Sequence, residues 1–421
     1  LSETRRAVEA ALQRLDRFKP KDRVLTLDRL TVLLEALGNP ERKLPPTIHV
    51  AGTNGKGSVT AFMRAMAEAA GLDAHVFTSP HLVRFNERIR LNGTLISDEG
   101  LLDILMRVEK ALEGRDITFF EATQAAAFLA FSEIPADLLI LEVGLGGRFD
   151  ASNVIPGNAV SVFTPIDLDH QQFLGNTITK IARDKAGILK PGCRAVSAIQ
   201  LPEARAQLLA EADELDVHVS FLTPDEIGAV RGPLSLSGAH QFSNAALAAK
   251  ALECWGHEAI TPEAIQRGGV TAKWPARMQR LSDGPVPRLA GGLPVWLDGG
   301  HNPHAARALA SVLDSLDAEA GERRTMLVSA MLANKDAAGF FGALARPGLQ
   351  VFTTEIAHGH DSFSAEDLAA EARKAGVEAS PQPGFSAAIQ AAANAGAGRI
   401  LICGSLYLAG EVLELNEELP D

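Results

Sequence analysis

The chain has 421 residues, 46% of them hydrophobic, which is too long for a single core and suits two globular domains. Its formal net charge of −12 excludes a nucleic-acid surface, because phosphate neutralisation needs a basic patch and no Lys/Arg cluster is present. Cys193, Cys254 and Cys403 lie far apart without C-x-x-C spacing, which argues against a disulfide framework or cysteine zinc site, and no apolar run reaches the roughly eighteen residues of a membrane span.

From the start, apolar residues recur at helical spacing through Ala7, Leu12 and Leu15, and again through Leu30, Leu33, Leu34 and Leu37, with Gly38-Asn39-Pro40 as the stop. Between these helices, residues 24–28 (Val24, Leu25, Thr26, Leu27, Asp28) read as a short connecting loop. Residues 47–58, T-I-H-V-A-G-T-N-G-K-G-S, form a β-branched strand that breaks into glycines and a lysine before an alanine-rich helix over 59–70. Such a turn cradles phosphate, because successive N–H groups and the positive helix end face an anion. Gly52, Gly55 and Gly57 admit close backbone approach, Lys56 reaches a terminal phosphate and Ser58 offers a hydroxyl to Mg²⁺. The spelling departs from the usual P-loop: Val50 stands where a glycine is expected, and Gly57 rather than Ser or Thr follows the lysine.

Residues 75–78 read as the next strand, running into Ser79-Pro80-His81-Leu82. Ser79 either brings a second hydroxyl to a metal site or makes a Ser-Pro turn. Thr118-Phe119-Phe120-Glu121 opens a helix with a capping box, a role sufficient for Thr118 and Glu121. The strand over 137–143 is continuously apolar except for Glu142 near its carboxyl end. A buried carboxylate there costs several kcal/mol unless a cation or donor meets it, so Glu142 is expected to bind a metal or its water. Residues 144–151 follow with three glycines, Arg148, Phe149, Asp150 and Ala151, and read as a substrate loop.

A strand over 158–163 exits through Asp167, Asp169 and His170, with His170 either a metal ligand or a packed histidine. Lys185 falls in a helical segment over 181–190 ended by Pro191-Gly192 and, by itself, reads as a surface lysine. Strand and helix signals alternate over 195–238. Asn244 sits near the start of the next alanine-rich helix, where it can meet a base edge or serve the helix start. Trp274-Pro275-Ala276-Arg277 is the expected hinge between domains 1–276 and 277–421. Beyond it come strands at 295–298, 325–330, 350–354 and 399–403. They leave through Gly299-Gly300-His301, Asn334-Lys335-Asp336, residues 358–362 and Gly404-Ser405. The expected fold class is α/β: a P-loop NTPase-like N-terminal domain with a mostly parallel sheet, plus a smaller Rossmann-like C-terminal α/β domain.

The motifs A-G-T-N-G-K-G-S, T-S-P-H-L, N-E-R-I, F-F-E-A-T, E-V-G-L-G-G-R-F-D-A-S-N, D-K-A-G-I-L-K, W-P-A-R and D-G-G-H-N-P occur in this order. Together they resemble the Mur ligase superfamily and, within it, the folylpolyglutamate synthase and dihydrofolate synthase family. The resemblance implies a ligase that uses ATP to add L-glutamate to dihydropteroate and to reduced folates through an acyl phosphate. Gly55, Lys56, Gly57 and Ser58 would bind the triphosphate. Ser58, Ser79 and Glu142 would hold one Mg²⁺ and His170 a second. Lys185 matches a lysine that is carbamylated in the family, which replaces the surface reading with a metal ligand. Asn244, Arg277, Asp298 and His301 would approach the nucleotide.

Thr118, Phe120, Asp150 and Ala151 would line the pterin-benzoate pocket, with Phe119, Glu121 and Phe149 beside them and Leu25, Thr26, Leu27 and Asp28 assisting. Ser405 and the Lys335-Asp336 loop would orient glutamate. The catalytic set implied is Lys56, His170, Lys185 and Arg277, with a monovalent cation as a further candidate ligand. A cytoplasmic monomer without nucleic-acid or membrane partners is expected. A carboxylate attacking ATP meets an anionic γ-phosphate, so Lys56, Mg²⁺ and Arg277 are needed to neutralise the transfer, and the acyl phosphate must be kept from water. The rival cell-wall Mur ligases carry a sizeable domain before the P-loop, where about fifty residues stand here. A nucleotide-dependent switch, the other alternative, has no need of Glu142, His170, Lys185 and Arg277 together.

Overall fold

The computed structural model describes residues 2–18, 26–320, 324–357 and 361–421. The chain forms two compact units. One gathers the chain up to His81, Phe85–Pro233 and Ser243–Ala272, and the other gathers Leu82–Arg84, Leu234–Phe242 and Lys273–Asp421.

The first unit is built on eight strands: β1 (Thr47–Ala51), β2 (Ala74–Phe77), β3 (Ile89–Leu91), β4 (Thr94–Leu95), β5 (Leu138–Glu142), β6 (Val160–Phe163), β7 (Arg194–Ser197) and β8 (Val219–Phe221). Their order is β4-β3-β2-β5-β1-β6-β7-β8, with β2, β5, β1, β6, β7 and β8 parallel and β3 and β4 turning back antiparallel. Every residue of β1, β2, β5 and β6 is buried, as a parallel sheet covered on both faces requires. Leu139 and Leu141 of β5 join a core with the helices Glu3–Leu15, Asp28–Ala36, Asp98–Leu112 and Phe119–Glu133.

The register pairs Val50 with Glu142, Ala51 with Phe163 and Phe77 with Leu141, so β1, β2, β5 and β6 end on one edge. The chain leaves β1 toward β2 on one side and crosses from β5 to β6 on the other. This reversal beside β1 is where open α/β sheets leave a crevice.

The second unit has β9 (Gln279–Arg280), β10 (Val295–Leu297), β11 (Thr325–Ser329), β12 (Gln350–Thr353), β13 (Glu378–Pro381) and β14 (Arg399–Cys403), in the order β13-β12-β11-β14-β10-β9. Only β9 is antiparallel among these described strands. The sheet carries two apolar cores. This is the Rossmann-like partner of the P-loop-type sheet.

Three boundaries differ from the sequence expectation. The helix after the cradle begins at Lys56, because Gly55, at φ 90°, makes the left-handed turn that a side chain would resist. The helix that carries Lys185 is Ile178–Ala186 and stops at Gly187, short of Pro191-Gly192. A Cβ on Gly187 would lie 2.4 Å from Arg148 Cβ, so close packing as well as helix termination selects glycine there. Asp28 opens a helix instead of ending a loop, and Leu25 lies outside the described residues, as do residues 358–360 of the loop expected after β12.

The cradle helix Lys56–Ala69 is packed by the helix Pro262–Thr271. At Gly268 a Cβ would lie 2.4 Å from the Met66 backbone. Alanine favours a helix over glycine by about 1 kcal/mol, yet rigid backbone cannot yield as a side chain can. Gly268→Ala is therefore expected to lower stability by about 1–3 kcal/mol, the usual cost of overpacking, read as a shift in the urea midpoint.

Candidate active site

The loop that leaves β1 is tied to the exit of β6. Thr53 N–H donates to Pro165 O at 2.9 Å, and the Thr53 hydroxyl donates to Asp167 O at 3.0 Å while accepting Asp167 N–H at 3.0 Å. Gly52 takes φ 149°, and a Cβ on it would fall 1.8 Å from Thr164 Oγ1. No other residue fits this position.

The Gly52 carbonyl receives two ammonium groups. Lys56 Nζ donates to it at 3.2 Å and Lys185 Nζ at 2.9 Å. Lys185 is 4% exposed, which corrects the surface reading of this residue taken by itself. Burial, and after it repulsion from Lys56, brings its pKa from 10.5 down to about 7, against partial support from Asp184, Asp169 and Asp150. Both lysines line a pocket of about 300 Å³, counting its open mouth, together with Gly52, Thr53, Val143, Gly144, Leu145, Gly146, Asp169, His170 and Leu174. The Lys56 ammonium, beside a helix N-terminus and a second lysine that titrates at about 7, makes a site for an anion.

Other expected residues gather around it. Ser58 is buried in the first turn of the cradle helix, and Glu142 is buried where β5 ends, in register with Val50. His170 has φ 49° and caps the short helix Gln171–Leu174. Asn244 Oδ1 lies 2.9 Å from where a Gly55 Cβ would stand, so the helix His240–Trp255 lays this amide over the cradle. Ser79 follows β2 and is half-buried.

Among the described residues, no three His, Cys, Asp or Glu side chains form a ready-made metal cage. Hydroxyls, single carboxylates, water and substrate phosphates are the usual Mg²⁺ ligands, and the Ser58 hydroxyl and the Glu142 carboxylate fit that donor set.

The residues expected on the acceptor side carry more structural duty than their sequence suggests. Thr118 and Glu121 form the expected capping box, with Glu121 N–H donating to Thr118 Oγ1 at 3.1 Å and Thr118 N–H to Glu121 Oε2 at 2.8 Å. Glu121 also pairs with Arg29 at 3.1 Å. Thr26 Oγ1 donates to Asp28 Oδ2 at 2.9 Å, next to Leu27, the helix cap.

The glycines after β5 give close approach to the protein's own groups: a Cβ would meet the Phe120 ring at Gly144, Asp184 Oδ1 at Gly146 and the Lys185 backbone at Gly147. Arg148 pairs with Glu211 at 2.7 Å. Asp150 is buried and accepts Leu145 N–H at 2.8 Å and Ser152 N–H at 3.0 Å. Burial pushes its carboxyl pKa up, and these bonds oppose the shift. Phe119 packs edge-on to Phe85, Ala151 is buried in a short turn, and Phe149 is 46% exposed.

In the second unit, Asp298 accepts Met278 N–H at 2.8 Å and Gly300 N–H at 2.7 Å, and burial raises its pKa against the pull of Arg277. Arg277 Nη1 donates to Ala276 O at 2.8 Å, and His301 Nδ1 lies 2.9 Å from Gly299 O. Ser405 caps the helix Leu406–Leu415, and Asp336 caps Ala337–Leu344. Thr53, Thr164 and Asp184 are not singled out by sequence, since each gains its place from contacts between loops, strand ends and a helix distant in the chain.

A family model described as "Dihydrofolate synthetase, C-terminal domain" matches residues 288–415. The "Dihydrofolate synthase/folylpolyglutamate synthase" of Bacillus subtilis is 38% identical over 317 residues, covering 68% of this chain and 71% of that protein. The "Dihydrofolate synthetase" of Saccharomyces cerevisiae is 31% identical over 424 residues, covering 93% and 98%. The chain belongs to the folylpolyglutamate synthase and dihydrofolate synthase family.

Solved structures agree with this family assignment. E. coli FolC in complex with DHPP and ADP superposes with a TM-score of 0.85 at 28% identity, covering 99% of each chain. A bifunctional synthase of the family with Mn, AMPPNP and L-glutamate bound gives a TM-score of 0.80 at 28% identity, covering 97% of each.

The depressed Lys185 pKa has a stability consequence. Between about 7 and 10.5 the unfolded chain holds the extra proton, so the wild-type protein gains stability as pH rises through that window. In CO₂-free buffer without nucleotide, Lys185→Met is expected to be more stable than wild type near about pH 6. By about pH 9 that advantage should shrink by on the order of 2 kcal/mol, measured by urea unfolding at the two pH values.

Proposed function

We propose that this chain is an ATP-dependent ligase that joins L-glutamate to dihydropteroate and to reduced folates. The observation that carries this reading is the pair of lysines on the Gly52 carbonyl, at the strand edge where the family's nucleotide motif begins. The relatives' names and the ADP, AMPPNP, Mn and glutamate in the family's structures support it.

The acceptor carboxylate oxygen attacks the γ-phosphorus of ATP as the bond to ADP breaks, giving an acyl phosphate. The neutral amine of glutamate then attacks the acyl carbon, phosphate leaves with the bonding pair, and the proton shed by the nitrogen goes to the departing phosphate. Lys56 and the N–H groups at the start of the Lys56–Ala69 helix balance charge on the transferring phosphoryl group. Gly55 and Asn244 shape the cradle beside it. Ser58, Glu142 and Ser79 would hold one Mg²⁺ and His170 and Lys185 a second. When bound, these ions draw electron density from the phosphate oxygens.

Lys185 needs a neutral amine to take up CO₂, forming an N–C bond and releasing a proton. Its pKa of about 7 favours that form, and the resulting carbamate would turn a cation that repels Lys56 into an anionic metal ligand. A monovalent cation is a further part of this reading.

Residues 1–276 serve as the ATP- and pterin-binding domain, with Thr118, Phe119, Phe120, Glu121, Phe149, Asp150, Ala151 and the Leu25-to-Asp28 segment on the acceptor side. Residues 277–421 serve as the ligase domain, with Arg277, Asp298 and His301 assigned to the nucleotide on the sequence match alone. The three free cysteines favour a reducing cytoplasm, and no described helix is long and apolar enough to cross a membrane. The working unit is taken to be the monomer.

ADP release from purified protein should require dihydropteroate and glutamate together, and tetrahydrofolate should replace dihydropteroate in a parallel assay. Lys56→Ala should cut kcat/KM about a hundredfold or more with either acceptor. ADP release that ignores both glutamate and acceptor would refute the proposal.

A further inference from the structure

His49 lies three residues before Gly52 on β1 and is fully buried. Its Nε2 is 2.8 Å from Ser152 Oγ, and Ser152 Oγ in turn bonds Asp150 Oδ1. The other Asp150 oxygen accepts Leu145 N–H at 2.8 Å, and Leu145 lines the pocket beside Lys56 and Lys185.

Asp150 accepts the N–H groups of Leu145 and Ser152, which favours its ionised form. In that form Ser152 donates to Asp150, and the Ser152 oxygen accepts the proton on His49 Nε2. The imidazole is thereby held in one tautomer, with Nδ1 bare. That nitrogen is buried and has no hydrogen-bond partner, which leaves Ser152 as the ring's polar anchor. Burial also keeps the ring neutral, down to a pKa of about 3.

Nothing in the ligase chemistry uses a buried neutral imidazole or the Ser152 hydroxyl. The wall that they reach contains Gly144, Gly146 and Gly147, a stretch that loses much backbone freedom when fixed. We infer that His49 and Ser152 are positioning residues which, through Asp150, hold the 144–147 wall of the pocket in register with the strand that carries the phosphate cradle. Asp150 then acts on the reaction through the Leu145 backbone. This inference rests on the ligase reading, because the wall matters where the phosphoryl group and the acceptor carboxylate must meet in line, and small misplacement there is costly.

Four variants in the full chain test it. His49→Leu and Ser152→Ala break the chain, while His49→Gln keeps a donor near the Nε2 position and Ser152→Thr keeps the hydroxyl. The expected result is a fall in kcat of about tenfold or more for the first pair. The Kd for Mg-ADP by calorimetry should change by less than about threefold, and the second pair should recover kcat to within about threefold. Nitrogen-15 spectra of wild type should show His49 protonated at Nε2. Unchanged kcat in the breaking pair, equal damage in both pairs, or a proton on Nδ1 would overturn the inference. If wild type shows no glutamate-dependent turnover, the ligase reading fails separately, since the tautomer and Mg-ADP binding are read without turnover.

Discussion

One carbonyl oxygen holds the site together. Gly52 O takes both Lys56 and Lys185, and two like charges brought that close repel. That repulsion is, after burial, the second cause of the lowered Lys185 pKa. The fold sustains this by fixing everything around the oxygen. Gly52 occupies a conformation that only glycine fits, Thr53 binds the loop to the β6 exit, and the Ile178–Ala186 helix delivers Lys185 from beneath. Loss of the Lys185 proton, at a pKa of about 7, relieves the repulsion and leaves Lys56 as the standing cation of the site.

The glycine-rich segment after β5 shows how the rest of the pocket is organised around that point. Its glycines press against Phe120, Asp184 and the Lys185 backbone, so the wall is packed from behind by the helix that carries the second lysine. Asp150 fastens its near end through Leu145 N–H. Phe120, Asp150 and the helix that carries Lys185 are thus packed against one and the same segment within the first unit.

Local chemistry was readable in the sequence, and long-range burial was not. The strand, turn and helix of residues 47–69 follow from β-branched residues, glycines and alanines adjacent in the chain. The acid that ends β5 stands out because its neighbours are all apolar. The Thr118 capping box is a four-residue signal. Lys185 gives no such sign, because its burial comes from a helix packed under a loop forty residues upstream. The helix end at Gly187 was missed for a related reason: the glycine is selected by contact with Arg148, while the more conspicuous Pro191-Gly192 lies beyond. Strands β3, β4, β9 and β13 are two to four residues long and carry polar or exposed positions, too short for alternation to register.

The two-lysine anion site is tested most directly by calorimetric titration of wild type and Lys56→Ala with AMPPNP in the presence of magnesium, at low and at raised salt. One nucleotide per chain is expected, with affinity that falls as salt rises and binding at least about tenfold weaker in the variant. Equal uptake by the two proteins, or no uptake by wild type, would contradict it.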